Sequence, residues 1–289
     1  MKNLILPLSF LLLSCSGTGN YLKLIGKLDK NEISGIEYIE QSNEWLWAIE
    51  DSGNKNKIYG LDQEGKTQHS VTIKNAKNVD WEDLTSDEEG NLYIGDFGNN
   101  DNARKDLGIY KVKNSDLKKK KASAEYKVSF YYPEQQKFPP KRSKRFYDVE
   151  SFFEYGDNFY LFTKNRSAGF DGSFNVYKVP NSKGRHKAEL IASLTSCDNY
   201  RKCAITAADI SPDGKTVVLL SGQKIWLLRD TLEKGFNQDM MQEFDLGHYS
   251  QKEGICFKDN NTLLIADEKH KNKKPSLYEL KISDLKSGL

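Results

Sequence analysis

Asp80-Trp81-Glu82-Asp83-Leu84, followed by Leu92-Tyr93-Ile94-Gly95-Asp96, contains a pattern that recurs along this chain of 289 residues. A small or acidic pair precedes an apolar residue, and a tight turn then leads into an aromatic or aliphatic strand. A polar loop and another short strand follow. The pattern occurs in versions that begin at Ser34, Glu82, Glu150, Ala208 and Glu253.

A repeated unit of this kind cannot bury its own faces, so neighbouring units must stack against one another. Short strands separated by turn residues make each unit a small sheet. We therefore predict an all-β chain that forms a single β-propeller of five blades. Six blades are the alternative, if residues 125–145 hold a degenerate unit. The segment Tyr21 to Leu28 also reads as a strand, and we expect it to complete the last blade and leave no free sheet edge.

The composition is that of a globular protein without a strong charge bias. Hydrophobic residues make up 37% and charged residues 29% of the chain, with a net charge of +2. This balance does not predict a nucleic-acid partner. Basic clusters at 118–121, 141–145 and 269–274 fall in predicted loops, and we interpret them as solvated charge rather than a phosphate site. We expect a monomer.

The first residues have the features of an export signal. A short positive segment precedes the apolar stretch Leu4 to Leu13, which is too short to span a bilayer. The following Ser14-Cys15 resembles a bacterial lipobox, in which the cysteine is lipidated. We predict a signal peptide over 1–14, a tether over 15–20 and the propeller over 21–289. The expected location is the cell envelope, with Cys15 anchoring the chain to the outer membrane; an ordinary signal peptide is the alternative.

Cysteines further along the chain occur in two contexts. Cys197 and Cys203 flank a five-residue loop, and an exported chain permits a disulfide there. The spacing alone leaves open whether the two are bonded. Cys256 lies within a repeat and is interpreted as a small core residue rather than a nucleophile.

Aligning the repeats places acidic residues around the central channel, because the first strand of each blade lines it. The residues predicted to converge there are Glu82, Glu150, Asp209 and Glu253. Converging carboxylates raise one another's pKa unless a cation is present. Oxygen ligands favour Ca²⁺ over Zn²⁺. The alternative interpretation is a wet channel in which these carboxylates bind backbone N–H groups and water.

Polar residues also recur after the second strand of each repeat. We expect these loops to gather at one end of the propeller, where they would form a ligand-binding face. The candidate residues are Asp51, Asp96, Asn99, Asn100, Arg104, Lys164, Asp267 and Glu268. No nucleophile elbow, Walker loop or dinucleotide fingerprint accompanies them.

The segments 80–84, 92–100 and Arg104 resemble secreted bacterial propellers grouped near the SdiA-regulated and the esterase-like, phytase-related families. The opening Glu253-Gly254-Ile255 is similar to that of senescence-marker and gluconolactonase propellers. That resemblance implies a divalent metal held at the starts of the inner strands, here by Glu82, Glu150, Asp209 and Glu253. The chain departs from the gluconolactonase pattern at Ser34, where that pattern has Glu.

Two functions follow from these observations. The first is a lipid-anchored binding or scaffold module at the envelope, with a divalent cation in the channel and a small molecule or protein as ligand. The second is a metal-dependent hydrolase of phosphoesters or lactones. No catalytic residue can be assigned from the sequence.

Overall fold

The structure is a computed structural model that describes residues 21–40, 45–270 and 273–285. In this part of the chain, five sheets of mainly antiparallel strands are arranged around a central channel, and each contributes its first strand to the lining of that channel. Two of the sheets have one additional outer strand that pairs parallel with its neighbour. The prediction of an all-β, five-bladed propeller is confirmed. Strand bounds are given blade by blade below.

Blade 1 comprises β2 (Ile33–Tyr38), β3 (Leu46–Glu50), β4 (Lys57–Leu61) and β5 (Thr67–Ile73), with the two-residue strand β9 (Lys121–Ala122) at its outer edge. Blade 2 comprises β6 (Trp81–Ser86), β7 (Leu92–Asp96), β8 (Gly108–Val112) and β10 (Tyr126–Tyr131), with β14 (Gly184–Lys187) at its outer edge. Blade 3 comprises β11 (Asp148–Glu154), β12 (Asn158–Lys164), β13 (Ser173–Pro180) and β15 (Glu189–Thr195). Blade 4 comprises β16 (Ile205–Ile210), β17 (Thr216–Ser221), β18 (Lys224–Arg229) and β19 (Gln242–Asp245). Blade 5 comprises β20 (Lys252–Asp259), β21 (Thr262–Asp267), β22 (Ser276–Lys281) and β1 (Lys23–Lys27).

The N-terminal strand closes the propeller. β1 pairs antiparallel with β22 and so forms the outermost strand of blade 5, as the sequence predicts. Leu22, just before it, joins the apolar cluster between blades 4 and 5, and Leu28, just after it, joins the cluster between blades 5 and 1. The first and last described segments are therefore part of one sheet.

Buried apolar side chains form five clusters, one between each pair of successive blades. Trp47 of blade 1 and Trp81 of blade 2 share one cluster, and Phe152 packs against Phe97 across the next interface with a ring centroid distance of 5.1 Å. Burying aromatic side chains of this size provides much of the stability of a sheet stack. Each blade is thus stabilised mainly by its two neighbours.

Residues 125–145 do not form a sixth blade. They supply β10, the fourth strand of blade 2, and a loop with a 3₁₀ turn at Arg142–Lys144. Other short helical segments of the described chain are Asn114–Asp116, α1 (Tyr200–Cys203), α2 (Thr231–Lys234), Gln238–Met240 and Ile282–Asp284.

A disulfide joins Cys197 and Cys203, and α1 lies within this loop. Cys256 is a buried free thiol on β20, in the apolar cluster between blades 5 and 1. The signal peptide, Cys15 and the tether lie outside the described residues. Within those residues, no helix has the length and apolar character needed to cross a bilayer.

Candidate functional site

An irregularity in strand register occurs at the start of every inner strand and defines equivalent positions in the five blades. The register with the second strand shifts by one residue at Ser34, Glu82, Glu150, Thr206 and Glu253. Bulges of this kind turn a side chain away from the regular pleat and are common beside functional sites. These five residues therefore occupy one level, at one end of the channel, which we call the carboxylate end.

Asp209 does not belong to this level, so the sequence alignment of blade 4 was wrong by two residues. Ala208 pairs with Leu219 and is equivalent to Ile36, whereas Thr206 occupies the bulge. The alignment of the repeats depended on finding an acidic residue in each unit, and the bulge position of blade 4 is Thr206, which is not acidic. Asp209 instead lies deeper, where it accepts a hydrogen bond from the Phe257 backbone N–H at 2.7 Å.

A cavity of about 180 Å³ opens at the carboxylate end. The three bulge glutamates contribute to its wall together with residues that follow the second strands of their blades. Its lining comprises Ile33, Ser34, Asp51, Glu82, Asn100, Glu150, Lys164, Arg166, Glu253 and Glu268. The end of the propeller at which we predicted a ligand-binding face is thus the end at which these carboxylates converge.

Glu150 is neutralised by two basic side chains of its own blade. Lys164 Nζ lies 2.8 Å from Glu150 Oε2, and Arg166 Nη2 lies 2.6 Å from Glu150 Oε1. Burial would raise the pKa of Glu150, but Lys164 and Arg166 outweigh it, so that pKa is lowered. Glu150 is therefore an ionised partner of two cations, which disfavours its predicted role as a metal ligand.

Arg166 also fixes the rim of the cavity. Its Nε donates to Asp148, and its Nη1 donates to the hydroxyl of Tyr200 at 2.7 Å. Tyr200 belongs to α1, inside the disulfide loop, and its ring contacts Phe170 edge-on. Asp148 in turn accepts the Asn99 backbone N–H at 2.6 Å, which links blades 2 and 3.

Glu82 lies in a different environment, beside Asp51 and Asp80. Carboxylate oxygens of these three residues lie within 4.8 Å of one another. Burial raises the pKa of Glu82 well above its usual value, and the charges of Glu150, Asp148, Asp51 and Asp80 add to that rise. This acidic triad has the spacing and the oxygen donors of a hard-cation site.

Gly98 leaves room for two members of the acidic triad. A Cβ at this position would lie 2.0 Å from Glu82 Oε1 and 2.5 Å from Asp80 Cγ. The two carboxylates therefore pack directly on the backbone of the loop after β7. A side chain at residue 98 would displace them, which makes Gly98 part of the geometry of the triad.

Blades 2 and 3 carry the same acidic pattern but differ in their cations. Asp80 and Glu82 correspond to Asp148 and Glu150, since Trp81 pairs with Asp96 as Val149 pairs with Thr163. The positions that hold Lys164 and Arg166 in blade 3 are Phe97 and Asn99 in blade 2. The carboxylates of blade 2 thus lack the two basic side chains that neutralise those of blade 3.

The other residues predicted for the ligand face separate into two groups. Asp51, Asn100, Lys164 and Glu268 line the cavity, whereas the remaining four have local partners. Asp96 pairs with Arg104 at 3.0 Å, Asn99 donates to the Tyr147 carbonyl at 3.1 Å, and Asp267 accepts from Ser250 at 2.8 Å.

Asp80, Asp148 and Arg166 are not among the residues predicted for the site. Asp80 and Asp148 precede the bulge glutamates by two residues, so a repeated Asp-x-Glu pattern was available as a signal. Arg166 lies in the polar loop after β12, where the sequence predicts ligand-face residues, but its pairing with Asp148 and Glu150 depends on the neighbouring strand β11.

Glu253 allows a pH-dependent prediction. Burial is the main factor that raises its pKa to about 7, with Lys164 opposing and Glu150 and Glu268 adding to the rise. The folded protein therefore retains a proton that the unfolded chain loses at about pH 4.3, and this group's contribution to stability falls as the pH rises from about 4.3 to 7. Glu253→Gln should gain melting temperature relative to wild type between about pH 5 and pH 8 in chelator.

Thermal melts of both proteins across that range test this expectation. A difference in melting temperature that stays constant with pH would show that Glu253 titrates normally.

No protein family profile and no curated protein matches this chain. Among solved structures, it is similar to XC5397, a gluconolactonase of Xanthomonas campestris described as important in glucose secondary metabolic pathways. The two are 11% identical, the superposition covers 90% of this chain and 89% of the other, and the TM-score is 0.46. The likeness is one of overall fold.

Proposed function

We propose that the carboxylate end binds one divalent cation, Ca²⁺, through Asp51, Asp80 and Glu82, and that the protein is a ligand-binding module of the cell envelope. The observation that carries the cation site is the contrast between blades 2 and 3. Two basic side chains neutralise the acidic pair of blade 3. The acidic pair of blade 2 instead lies beside Asp51 of blade 1, and the carboxylate oxygens of these three residues are within 4.8 Å of one another.

The donor set selects the kind of cation. All three groups offer carboxylate oxygens, and Asn100, which lines the cavity together with Asp51 and Glu82, has an amide oxygen. Ca²⁺ accepts six to eight oxygen ligands in loose geometry, whereas Zn²⁺ prefers nitrogen and sulfur. Burial and the neighbouring Asp51 raise the pKa of Asp80 to about 6, and a bound cation would reverse that rise.

The cation would leave room for a small ligand beside it. The cavity of about 180 Å³ also contains Lys164, whose ammonium faces Glu150. Burial opposes the charge of Lys164, but Glu150 and Glu253 outweigh it and raise its pKa, so the ammonium stays charged. A ligand with anionic or hydroxyl oxygens could bind the cation while contacting this ammonium.

We further propose that Cys15 anchors the module to the outer membrane, with the carboxylate end open to the ligand.

Thermal stability tests the cation site. Ca²⁺ binds the folded triad far better than the unfolded chain, so saturating Ca²⁺ should raise the free energy of unfolding by about 2.7 kcal/mol at 100 times the Kd. Glu82→Gln should remove most of this gain by deleting a charge. Gly98→Ala should also reduce it, because the added Cβ displaces two ligands without changing charge.

Glu189→Gln is the matched control, since Glu189 is an exposed carboxylate on an outer strand. It should keep the full Ca²⁺ effect. Equal melting temperatures of the wild type in Ca²⁺ and in chelator would refute the proposal.

A metal-dependent hydrolase of lactones or phosphoesters is the second candidate. The specific observation in its favour is that Glu253 lines the same cavity as two members of the acidic triad. The cation would polarise the substrate oxygen, and Glu253 would accept a proton from water. Chelator-sensitive turnover of a lactone or phosphomonoester panel, lost in Glu253→Gln, would favour this candidate. A protein that binds Ca²⁺ but turns over none of these substrates would support the binding-module proposal instead.

A further inference from the structure

A second cavity lies at the other end of the channel from the acidic triad. It measures about 620 Å³ and is formed where the inner strands end and turn into the second strands. This volume is in the range of small-molecule sites. The proposed function uses no residue of this cavity.

Two buried carboxylates form the floor of this cavity. Glu37 on β2 and Asp209 on β16 are each 7% exposed, and both line the cavity. Glu37 accepts from the Ser86 hydroxyl, and Asp209 accepts from the Phe257 backbone N–H. Among the described residues, neither carboxylate has a lysine, arginine or histidine within ion-pair distance.

The electrostatics of the floor favour a cation. Burial raises the pKa of Glu37, and the charge of Asp209 adds to that rise. Burial likewise raises the pKa of Asp209 to about 7, against two backbone hydrogen bonds that lower it. Buried charges are normally paired, and a pair of buried carboxylates without a basic partner is an exception that a bound cation would explain.

One wall of the cavity is a preformed hydrogen-bond network. Tyr93 donates to Asp87 at 2.8 Å, and Asn181 donates to the hydroxyl of Tyr93 at 2.9 Å and to Glu154 at 3.4 Å. Lys111 neutralises Asp87 at 3.4 Å. Glu154, at the end of β11, has no such cation in the described chain and presents a second acidic position to the cavity.

An aromatic side chain completes the rim. Tyr155 is 40% exposed, yet its ring rests on Gly214, where a Cβ would lie 2.5 Å from the ring. This contact holds the ring at the mouth of the cavity, beside Glu154. A tyrosine face attracts an ammonium group and packs well on an alkyl chain. The acidic floor, the second acidic position and the aromatic rim thus lie along one cavity.

We propose that this cavity binds a small organic polycation, with one ammonium group on the floor between Glu37 and Asp209 and another at Glu154 and Tyr155. A single metal ion would satisfy the floor but would leave Glu154 and the aromatic rim unused. A linear polyamine supplies separated ammonium groups joined by an alkyl chain, which matches both acidic positions. This inference does not depend on Ca²⁺ binding at the other end.

Calorimetry with spermidine tests the proposal on the purified full chain at a fixed ionic strength of about 0.15 M, where weak surface attraction is largely screened. We expect saturable binding of one spermidine per chain. Glu37→Gln and Asp209→Asn should each weaken it at least about tenfold, since each removes one buried charge (1.4 kcal/mol per factor of ten). Tyr155→Ala, an exposed change that leaves the core intact, should weaken it as well.

The exposed Glu189→Gln serves as the control and should bind spermidine like the wild type. If Glu189→Gln lost as much affinity for spermidine as the cavity variants, the binding would be non-specific surface attraction and the proposal would be wrong. The absence of saturable binding in the wild type would overturn it as well. Ca²⁺ titrated into Glu82→Gln gives the other decisive arm. If Glu82→Gln still gives a heat of Ca²⁺ binding, the double variant Glu82→Gln/Glu37→Gln shows whether that Ca²⁺ binds at the floor. Loss of this heat in the double variant, together with no spermidine binding to the wild type, would assign the floor to a metal ion and overturn the proposal.

Discussion

Replacing Glu150 with Gln is expected to lower the melting temperature by roughly 6–12 °C at neutral pH. The change leaves Lys164 without its ion-pair partner and removes one of the two carboxylates that pair with Arg166. Breaking a buried ion pair by removing one member costs about 3–5 kcal/mol, and 1 kcal/mol corresponds to about 2–4 °C for a domain of this size. We apply the lower end of that cost, since Asp148 still pairs with Arg166.

Glu253→Gln is the matched comparison, because it makes the same chemical change at the equivalent bulge position of blade 5. The pKa of Glu253 is raised by burial, whereas that of Glu150 is lowered by its two cations. Glu253→Gln should therefore raise the melting temperature in chelator. Similar melting temperatures for the two variants would contradict the assignment of Lys164 and Arg166 to Glu150.

Removing residues 21–28 from the chain is expected to abolish cooperative unfolding. The deletion takes away β1, exposes the edge of β22 and removes Leu22 and Leu28 from two apolar clusters. Blades depend on their neighbours for burial, so an open ring loses stability throughout rather than in blade 5 alone. Urea unfolding followed by tryptophan fluorescence should show a broad transition with a reduced m-value.

Single substitutions test whether the loss of stability comes from the contacts that close the propeller or from any change to the N-terminal segment. Leu28 is 2% exposed and Leu24 is 52% exposed, so Leu28→Asp should destabilise strongly while Leu24→Asp should change little. A deletion variant that unfolds as cooperatively as the wild type would show that blade 5 is complete without β1.

The sequence was sufficient for the fold because each repeat carries the same turn and strand signals. It also placed Glu82, Glu150 and Glu253 at one level of the channel, since their acidic character repeats. The repeat alignment was wrong in blade 4, because the bulge position there is Thr206 and the alignment was made instead on the acidic Asp209. Repeat alignment by residue type cannot detect a bulge, because the shift is a property of strand pairing.

The roles of the glutamates were less predictable than their positions. Glu82 and Glu150 look alike in sequence, yet Glu82 has two other carboxylates within 4.8 Å, whereas Glu150 pairs with two basic side chains. The difference arises from Lys164 and Arg166, which reach Glu150 only once β12 pairs with β11. Charge balance at the channel therefore depends on which residue follows each second strand, and this requires the register of the sheet.

Anomalous diffraction from a crystal of the protein soaked in Ca²⁺ is the most direct test of the proposed cation site. We predict one strong anomalous peak among Asp51, Asp80 and Glu82, at about 2.3–2.6 Å from their carboxylate oxygens. The same soak of Glu82→Gln should give no peak there. A wild-type map without a peak at these three residues, or with a peak only at Glu150, would contradict the account.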